Sequence, residues 1–179
     1  MAVALGLTAG AINAASAEVV PPGYQAIASE QGVPATLLYA VALTESGQRQ
    51  LSQPLQRPWP WTLNIGGRGQ FFGSRQAAWH ALQYALANGT TSVDIGLMQV
   101  NWRYHSQKLG SPWQSLDPYH NLRVGAAILK RCRTPEIDWW ESVGCYHAPN
   151  DPARAQHYRE RVRDHWRALN REDRDHEPG

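Results

Sequence analysis

The sequence predicts a single, mainly α-helical domain of the α+β class, with a small excursion of β-hairpins and loops near residues 55–73. The chain has 179 residues, which is enough for one domain with a hydrophobic core and too few for two. Most of it divides into segments that carry helix-start and helix-stop signals. The stretch from 48 to 73 instead contains repeated Pro and Gly, which are typical of turns and hairpins.

The helical segments are bounded by recognisable capping residues. Ser74 and Asp117 can each cap a helix, and Gly47 and Gly89 can each end one. Pro34 suits the first position of its helix. The predicted helices are Tyr24–Gln31, Pro34–Glu45, Arg75–Ala87, one that begins at Asp117-Pro118, Glu141–Tyr146 and Ala153–Leu169.

The sequence leaves one segment open between strand and helix and marks one helix for close packing. The periodicity of residues 94–101 does not choose between strand and helix. The helix after Asp117 carries Gly125 and Ala126 among its apolar residues, and these are small enough for another helix to approach closely. We expect the folded domain to cover residues 18–169 and residues 170–179 to form a disordered tail.

The first seventeen residues have features of an export signal that is truncated at its start. Ala2–Ile12 is an apolar run of small residues, and Ala15-Ser16-Ala17 has the A-x-A form of a cleavage site. The first basic residue is Arg49, so the usual charged region is missing. A flexible N-terminus without function is the alternative. The run is far shorter than the ~20 residues of a membrane span, so we expect no stable membrane insertion after cleavage.

Composition limits the possible functions. The chain is 42% hydrophobic and 18% charged, which indicates a globular protein. Its net charge of +2, without an Arg/Lys stripe, argues against nucleic acid as a partner. The chain contains eight Trp and seven Tyr but only two Phe. Trp and Tyr carry a polar group on their rings, which suits a cleft that is partly exposed to water. Trp59 and Trp61 fit a cleft or the core equally well, whereas Trp79 and the pair Trp139-Trp140 fit the core better.

Cys132 and Cys145 are the only cysteines, thirteen residues apart. In an oxidising compartment they can form one disulfide; the alternative is a pair of buried free thiols. Neither C-x-x-C nor H-E-x-x-H occurs, and the seven His form no tight cluster in the sequence, so no metal site and no cofactor are predicted. His105, His120 and His157, like Tyr104, are interpreted as surface or packing residues.

Glu45 is the candidate catalytic residue. It lies at i, i+4, i+8 with Leu37 and Val41, which places its carboxyl on the apolar stripe at the C-terminal end of a helix. Burial and the negative end of the helix dipole both raise the pKa of a carboxyl there, so it could donate a proton near neutral pH. The alternative is an ordinary surface Glu at a frayed helix end.

Four motifs occur in the same order and spacing as in one known family. They are Thr44-Glu45-Ser46-Gly47, Gly96-Leu97-Met98-Gln99-Val100-Asn101, Asn121-Leu122 with Gly125-Ala126-Ala127-Ile128-Leu129, and Cys145-Tyr146-His147-Ala148-Pro149. The chain resembles the soluble lytic transglycosylases, which cleave peptidoglycan and are related in fold to goose-type lysozyme, over roughly residues 24–163. The stretches 59–67 and 94–96 look like the branch associated with conjugation and secretion machines.

The resemblance implies a lysozyme-like fold and assigns site residues. Glu45 matches the single catalytic acid/base. The residues implied in substrate binding are Ser46, Asn64, Met98, Gln99, Asn101, Tyr146 and His147. The chain departs from the family's Ala-Tyr-Asn motif at Cys145 and His147. The first departure fits a bridge to Cys132, whereas an imidazole in place of an amide can also titrate.

A single carboxyl is sufficient if the substrate supplies its own nucleophile. Ordinary glycosidases need two carboxylates, but N-acetylmuramic acid (MurNAc) carries a 6-hydroxyl that can attack C1 and give a 1,6-anhydro product. We therefore expect a periplasmic lytic transglycosylase that binds glycan strands of peptidoglycan and opens the wall locally for a conjugation or secretion apparatus. The alternatives are a hydrolytic muramidase with Asp94 as its second carboxylate, a non-catalytic wall-binding or assembly protein, and a phage endolysin.

Overall fold

The computed structural model describes residues 20–49 and 56–174, and the predicted export signal at 1–17 lies outside them. Within the described residues the chain forms eight helices and six short strands, which confirms the mainly α fold with small antiparallel sheets. The helices are α1 Pro22–Gln31, α2 Ala35–Ser46, α3 Arg75–Ala87, α4 Trp102–Leu109, α5 Pro112–Ser115, α6 Pro118–Arg131, α7 Trp139–His147 and α8 Pro152–Arg174. The strands are β1 Gly47–Arg49, β2 Gln56–Pro58, β3 Thr62–Ile65, β4 Arg68–Phe71, β5 Val93–Ile95 and β6 Val100–Asn101.

Helix α2 is the central element of the core. Every residue from Leu37 to Thr44 is buried, so the helix is covered on all sides instead of showing one apolar stripe. Helices α1 and α8 and strand β2 pack around it. Pro34 has an extended backbone and is the N-cap, so it precedes the helix instead of occupying its first position.

Gly47 follows α2 for a steric reason. Its φ of −61° is not left-handed, and the chain passes directly into β1. A Cβ atom at this position would collide with the side chain of Gln56 and the carbonyl of Leu43. The helix therefore ends as predicted, but glycine is needed here for the close approach of β2 and not for an αL cap.

The four-stranded antiparallel sheet has the order β4-β3-β5-β6. Its first two strands confirm the predicted β excursion, and segment 94–101, which the sequence left open, supplies β5, a turn and β6. Asn64 pairs with Asp94 across β3 and β5, and Asp94 pairs with Asn101 across β5 and β6. Cross-strand neighbours lie on the same face of a sheet, so this register aligns three polar side chains in one row.

Helix α6 packs its small residues against the turn between β5 and β6. Asp117 caps the helix by accepting a hydrogen bond from the backbone N–H of His120 at 2.9 Å. An added Cβ at Gly125 would lie 2.5 Å from the side chain of Met98. The close approach predicted at this glycine is therefore made by the turn that carries Met98, and not by another helix.

The last two helices are longer than predicted. Helix α7 runs from Trp139 to His147, and a disulfide joins it to the end of α6 through Cys145 and Cys132, whose Cα atoms are 5.9 Å apart. Helix α8 continues past Leu169 to Arg174, into the segment predicted to be a disordered tail; residues 175–179 lie outside the described part. Within the described part of the chain, no helix has both the length and the apolar character needed to cross a bilayer.

Candidate active site

A cavity of about 940 Å³ lies where the end of α2 meets the sheet, α4, α7 and α8. Its lining combines carboxyl, amide, imidazole, phenol and guanidinium groups. The polar and aromatic lining residues are Thr44, Glu45, Asn64, Asp94, Gln99, Asn101, Tyr104, His105, Tyr146, His147, Asn150, Asp151, Arg154, Tyr158 and Arg161.

Glu45 is the most strongly perturbed carboxyl in this cavity. It is the second-last residue of α2, its side chain is only 14% exposed, and its Oε1 accepts a 2.5 Å hydrogen bond from the hydroxyl of Tyr158. Burial raises the pKa of Glu45 from its ordinary value of 4.5 to about 7. The hydrogen bond from Tyr158 and the charge of Arg161 oppose that rise in pKa, whereas the charge of Asp94 adds to it. The carboxyl can therefore hold its proton near neutral pH.

His147 lies beside the same carboxyl oxygen. Its ring stacks on Tyr158 with centroids 4.2 Å apart and an interplanar angle of 1°, and its Nδ1 is 4.0 Å from Oε1 of Glu45. Burial, followed by the charges of Arg154 and Arg161, lowers the pKa of His147. The imidazole is consequently neutral at neutral pH, and it holds the phenol ring that donates to Glu45.

Tyr146 connects α7 to the turn of the sheet. Its hydroxyl donates a 2.6 Å hydrogen bond to the backbone carbonyl of Met98. Burial and the neighbouring charges of Glu45 and Asp94 raise the pKa of Tyr146 well above its ordinary value, so the phenol remains neutral. The side chain lines the cavity while it fixes the backbone of the turn.

Asp94 is a second carboxyl in the cavity, but both its oxygens are occupied. Oδ1 accepts a 2.7 Å hydrogen bond from Asn101, and Oδ2 accepts a 3.2 Å hydrogen bond from Asn64. Burial raises the pKa of Asp94, and the two hydrogen bonds oppose that shift. The paired strands thus hold this carboxyl between two amides.

Asn121 anchors the turn that carries Gln99. The fully buried Asn121 side chain accepts a hydrogen bond from the Met98 backbone N–H at 3.0 Å and donates to the Ile95 carbonyl at 2.8 Å. Gln99 has a positive φ of 43°, and its side-chain amide donates to the Gly96 carbonyl at 2.9 Å. A positive φ is unfavourable for a residue with a side chain, so the surrounding hydrogen bonds hold Gln99 against the cavity.

Six of the eight predicted site residues line the cavity. They are Glu45, Asn64, Gln99, Asn101, Tyr146 and His147. Ser46 and Met98 do not, which corrects the expectation of substrate contact for these two side chains. The Ser46 hydroxyl is 1% exposed and donates to the Leu97 carbonyl at 2.8 Å, and Met98 is enclosed against α6. Both support the turn from inside the core.

Sequence reasoning missed three residues of α8 that line the cavity. Tyr158 and Arg161 belong to a helix interpreted as a charged surface element, although Tyr158 falls on its buried side with Ala155 and Val162 at helical spacing. This helical spacing is the signal in the sequence that could have identified Tyr158 as a buried residue. Arg154 projects from the same helix into the lining.

The aromatic residues were only partly interpreted correctly. Tyr104 and His105 line the cavity, and Tyr104 is also 74% exposed, which agrees with the surface position predicted for it. Trp59 and Trp61 are absent from the lining, and their rings contact each other edge to face at 5.5 Å.

The described residues contain no group of three or more His, Cys, Asp or Glu that could hold a metal ion.

A buried carboxyl that holds a proton near neutral pH, in a polar cavity large enough for a ligand, has the features of an acid–base enzyme site. The model of the transglycosylase SLT domain family matches residues 24–168. The chain therefore belongs to this family of peptidoglycan-cleaving lytic transglycosylases. Comparison with curated proteins and with solved structures found no match.

Proposed function

We propose that this protein cleaves the β-1,4 bond between MurNAc and N-acetylglucosamine (GlcNAc) as a lytic transglycosylase, with Glu45 as its only acid and base. The observation that carries this proposal is the state of Glu45, which is buried against the cavity with a pKa of about 7. A general acid is most effective when its pKa lies near the working pH. Glu45 can then be present both as the acid and as the base during one cycle.

The reaction proceeds in two proton transfers. Protonated Glu45 gives its proton to the glycosidic oxygen, the bond between that oxygen and C1 of MurNAc breaks, and GlcNAc leaves with a new hydroxyl. The Glu45 carboxylate then takes the proton of the MurNAc 6-hydroxyl as its oxygen bonds to C1. The products are a 1,6-anhydro sugar and a free sugar end, no water is consumed, and Glu45 regains its proton.

The neighbours of Glu45 suit each half of this cycle. The hydroxyl of Tyr158 donates to Oε1 and stabilises the carboxylate that forms after the first transfer. The neutral ring of His147 next to it adds no positive charge while C1 becomes electron-deficient. We assign the amides of Asn64, Gln99 and Asn101 to orientation of the sugar hydroxyl and acetamido groups along the cavity.

A hydrolytic muramidase is the second candidate, because Asp94 lies in the same cavity. As a base it would activate water, and the product would be heavier by one water molecule. Both oxygens of Asp94 already accept hydrogen bonds from Asn64 and Asn101, so fewer of its lone pairs remain to hold and activate a water molecule. We therefore favour the transglycosylase.

Product analysis on purified sacculi separates these candidates. We expect the wild type to release 1,6-anhydro muropeptides, and Glu45→Gln to fold normally and lose roughly 10²–10⁴-fold in turnover. Glu160→Gln is the matched control, because this exposed carboxyl on α8 lies outside the cavity. Products that carry one extra water would support the muramidase. Unchanged digestion by Glu45→Gln would contradict the proposal, as would wall binding by a wild type that shows no turnover.

We also propose that the protein works in the periplasm with a conjugation or secretion apparatus. Its family's substrate lies outside the cytoplasm, and the disulfide between Cys132 and Cys145 suits an oxidising compartment. The resemblance of stretches 59–67 and 94–96 supports the link to such machines. Deletion should reduce transfer of DNA or effector, the wild-type gene should restore it, and the Glu45→Gln gene should not.

A further inference from the structure

One face of α8 presents a regular set of side chains to the cavity. Arg154, Tyr158 and Arg161 follow one another at i, i+4 and i+7, and all three line the cavity. Residues at this spacing lie on one side of a helix. The phenol that donates to Glu45 is therefore flanked by an arginine one turn before it and another one turn after it.

The two arginines differ in how they are held. Arg161 donates from Nη2 to the carbonyl of Thr44 at 3.2 Å, which ties it to the end of α2. Arg154 is exposed, and none of its guanidinium nitrogens forms an ion pair with a carboxylate within the described residues. The nearby Asp151 instead caps α8 by accepting from the backbone N–H of Arg154 at 3.0 Å. A free guanidinium thus stands at the rim of the cavity.

The charge of Arg154 acts within the catalytic region. Burial lowers the pKa of His147, whose Nδ1 lies 4.0 Å from Glu45, and the charges of Arg154 and Arg161 lower it further. Asn150, Asp151 and Arg154 form one continuous part of the rim where α8 begins. A ligand group that meets Arg154 would therefore belong to, or lie next to, the sugar being cleaved.

A guanidinium binds a carboxylate with two parallel hydrogen bonds, and it gains little from neutral sugar hydroxyls. The sugar rings of a MurNAc–GlcNAc strand are uncharged, whereas the peptide stems attached to MurNAc carry free carboxylates. We propose that Arg154 binds a carboxylate of the peptide stem, so that this enzyme selects peptide-bearing glycan over bare glycan. This inference rests on the proposed function, because it takes MurNAc with its stem as the substrate.

The test compares substrates that differ only in charge. One is a set of purified sacculi, and the other is the same sacculi with the stem carboxylates converted to methylamides by carbodiimide and methylamine. For the wild type we expect the conversion to raise KM about three- to tenfold with little change in kcat. Arg154→Gln should show the raised KM on untreated sacculi and no further rise on the methylamides.

Arg167→Gln is the matched control, because this exposed arginine of α8 lies outside the cavity and faces Asp164. It should behave as the wild type on both substrates. Equal KM values of the wild type on the two substrates would overturn the proposal. Equal losses in Arg154→Gln and Arg167→Gln would also overturn it, because the effect would then come from general charge.

A third substrate tests whether the effect needs the stem. An amidase hydrolyses the amide between the lactyl group and the stem, so the stripped strands carry a lactyl carboxylate that intact strands lack, and this carboxylate is converted to the methylamide as well. On these uncharged strands Arg154→Gln should equal the wild type; a persistent defect would show that Arg154 acts without a stem carboxylate and would overturn the proposal. Binding of the same substrates is also measured in the Glu45→Gln background, which needs no turnover. A wild type without anhydro products would contradict the proposed function, whereas a stem-independent Kd in this background would contradict the role of Arg154.

Discussion

At the scale of single residues, the hydrogen bond from Tyr158 to Glu45 adjusts the acid strength of the carboxyl. The phenol hydroxyl donates to Oε1 at 2.5 Å and favours the charged form, which lowers a pKa that burial has raised. Tyr158→Phe removes this donor and should raise the pKa of Glu45. The alkaline limb of the kcat–pH profile should then move to higher pH, and kcat should fall because the carboxylate left by the first proton transfer is less stable.

A pH–rate profile of both enzymes between pH 4.5 and 9 checks this prediction. Tyr119→Phe is the control, because Tyr119 is 57% exposed and lies outside the cavity. An alkaline limb that stays in place or moves to lower pH in Tyr158→Phe would contradict the assigned hydrogen-bond role.

We expect the protonation of His147 to determine the acidic limb of the same kcat–pH profile. The ring is neutral when it faces Glu45, and it gains a positive charge as the pH falls through its lowered pKa, below the usual ~6.5. A positive charge beside C1 opposes cleavage, so kcat should fall there. His147→Phe keeps a ring to stack on Tyr158 but cannot titrate. Its acidic limb should move to lower pH, while activity at neutral pH stays within about threefold.

The measurement is kcat against pH in buffers of constant ionic strength. His157→Phe serves as the matched control, because His157 is exposed on α8 and does not line the cavity. Retention of the wild-type acidic limb in His147→Phe would show that another group is responsible. Inactivity of this variant at every pH would show that the ring nitrogen takes part directly.

At the scale of secondary-structure elements, one buried amide holds the turn between β5 and β6. Asn121 both accepts and donates, with contacts to Met98, Ile95 and Ser115 at 3.0, 2.8 and 3.2 Å. Asn121→Asp keeps the shape but loses both donors, which leaves two buried carbonyls facing a carboxylate. We expect a loss of about 2–4 kcal/mol in the free energy of unfolding at pH 7.

Urea unfolding of the variant measures this loss. Asn88→Asp makes the same change at an exposed amide that donates to the Tyr84 carbonyl, and it should cost less than about 1 kcal/mol. Similar losses in the two variants would contradict the view that Asn121 is an anchor of the turn.

The disulfide belongs to the same scale, since it joins the end of α6 to α7. A loop of thirteen residues closed in this way contributes about 3 kcal/mol by its effect on the unfolded chain. Replacing Cys132 and Cys145 together by Ser should therefore lower Tm by about 6–12 °C. We expect kcat at 25 °C to change little, because Tyr146 is also held by its bond to the Met98 carbonyl. Thermal unfolding and turnover of the same samples check both statements, and a kcat that falls with an unchanged Tm would contradict them.

Local sequence signals predicted the elements better than their contacts. The caps at Ser74 and Asp117 gave the starts of α3 and α6, because a cap acts within one turn. The role of Gly47 was misread, since its need for space arises from the side chain of Gln56 on β2, the strand that pairs with β1. Tyr158 could not be assigned to the site, because its hydroxyl meets Glu45 only after α8 has packed on α2.

At the scale of the whole molecule, the site is assembled from distant parts of the chain. Glu45 and its hydrogen-bond donor Tyr158 are separated by 113 positions, and the sheet and α7 supply the remaining lining. The core around α2 keeps the carboxyl out of water and thereby raises its pKa. A site that disfavours its own charge in this way lowers the stability of the fold.

That cost makes the stability of the molecule depend on pH in a defined direction. The pKa of Glu45 is about 7 in the folded state and near 4.5 in the unfolded state, so the folded protein binds more protons between these values and loses stability as the pH rises through them. The loss amounts to about 3 kcal/mol above pH 7.

Glu45→Gln cannot ionise, and its amide oxygen can still accept from Tyr158. It should therefore exceed the wild type in Tm at pH 8 by about 6–12 °C and match it closely at pH 4.5. Thermal unfolding of the wild type, Glu45→Gln and the exposed control Glu160→Gln at both pH values measures this difference. A Tm gain of equal size at pH 4.5 and pH 8 would mean that the carboxyl does not carry its proton in the folded protein, and the acid on which cleavage depends would be absent.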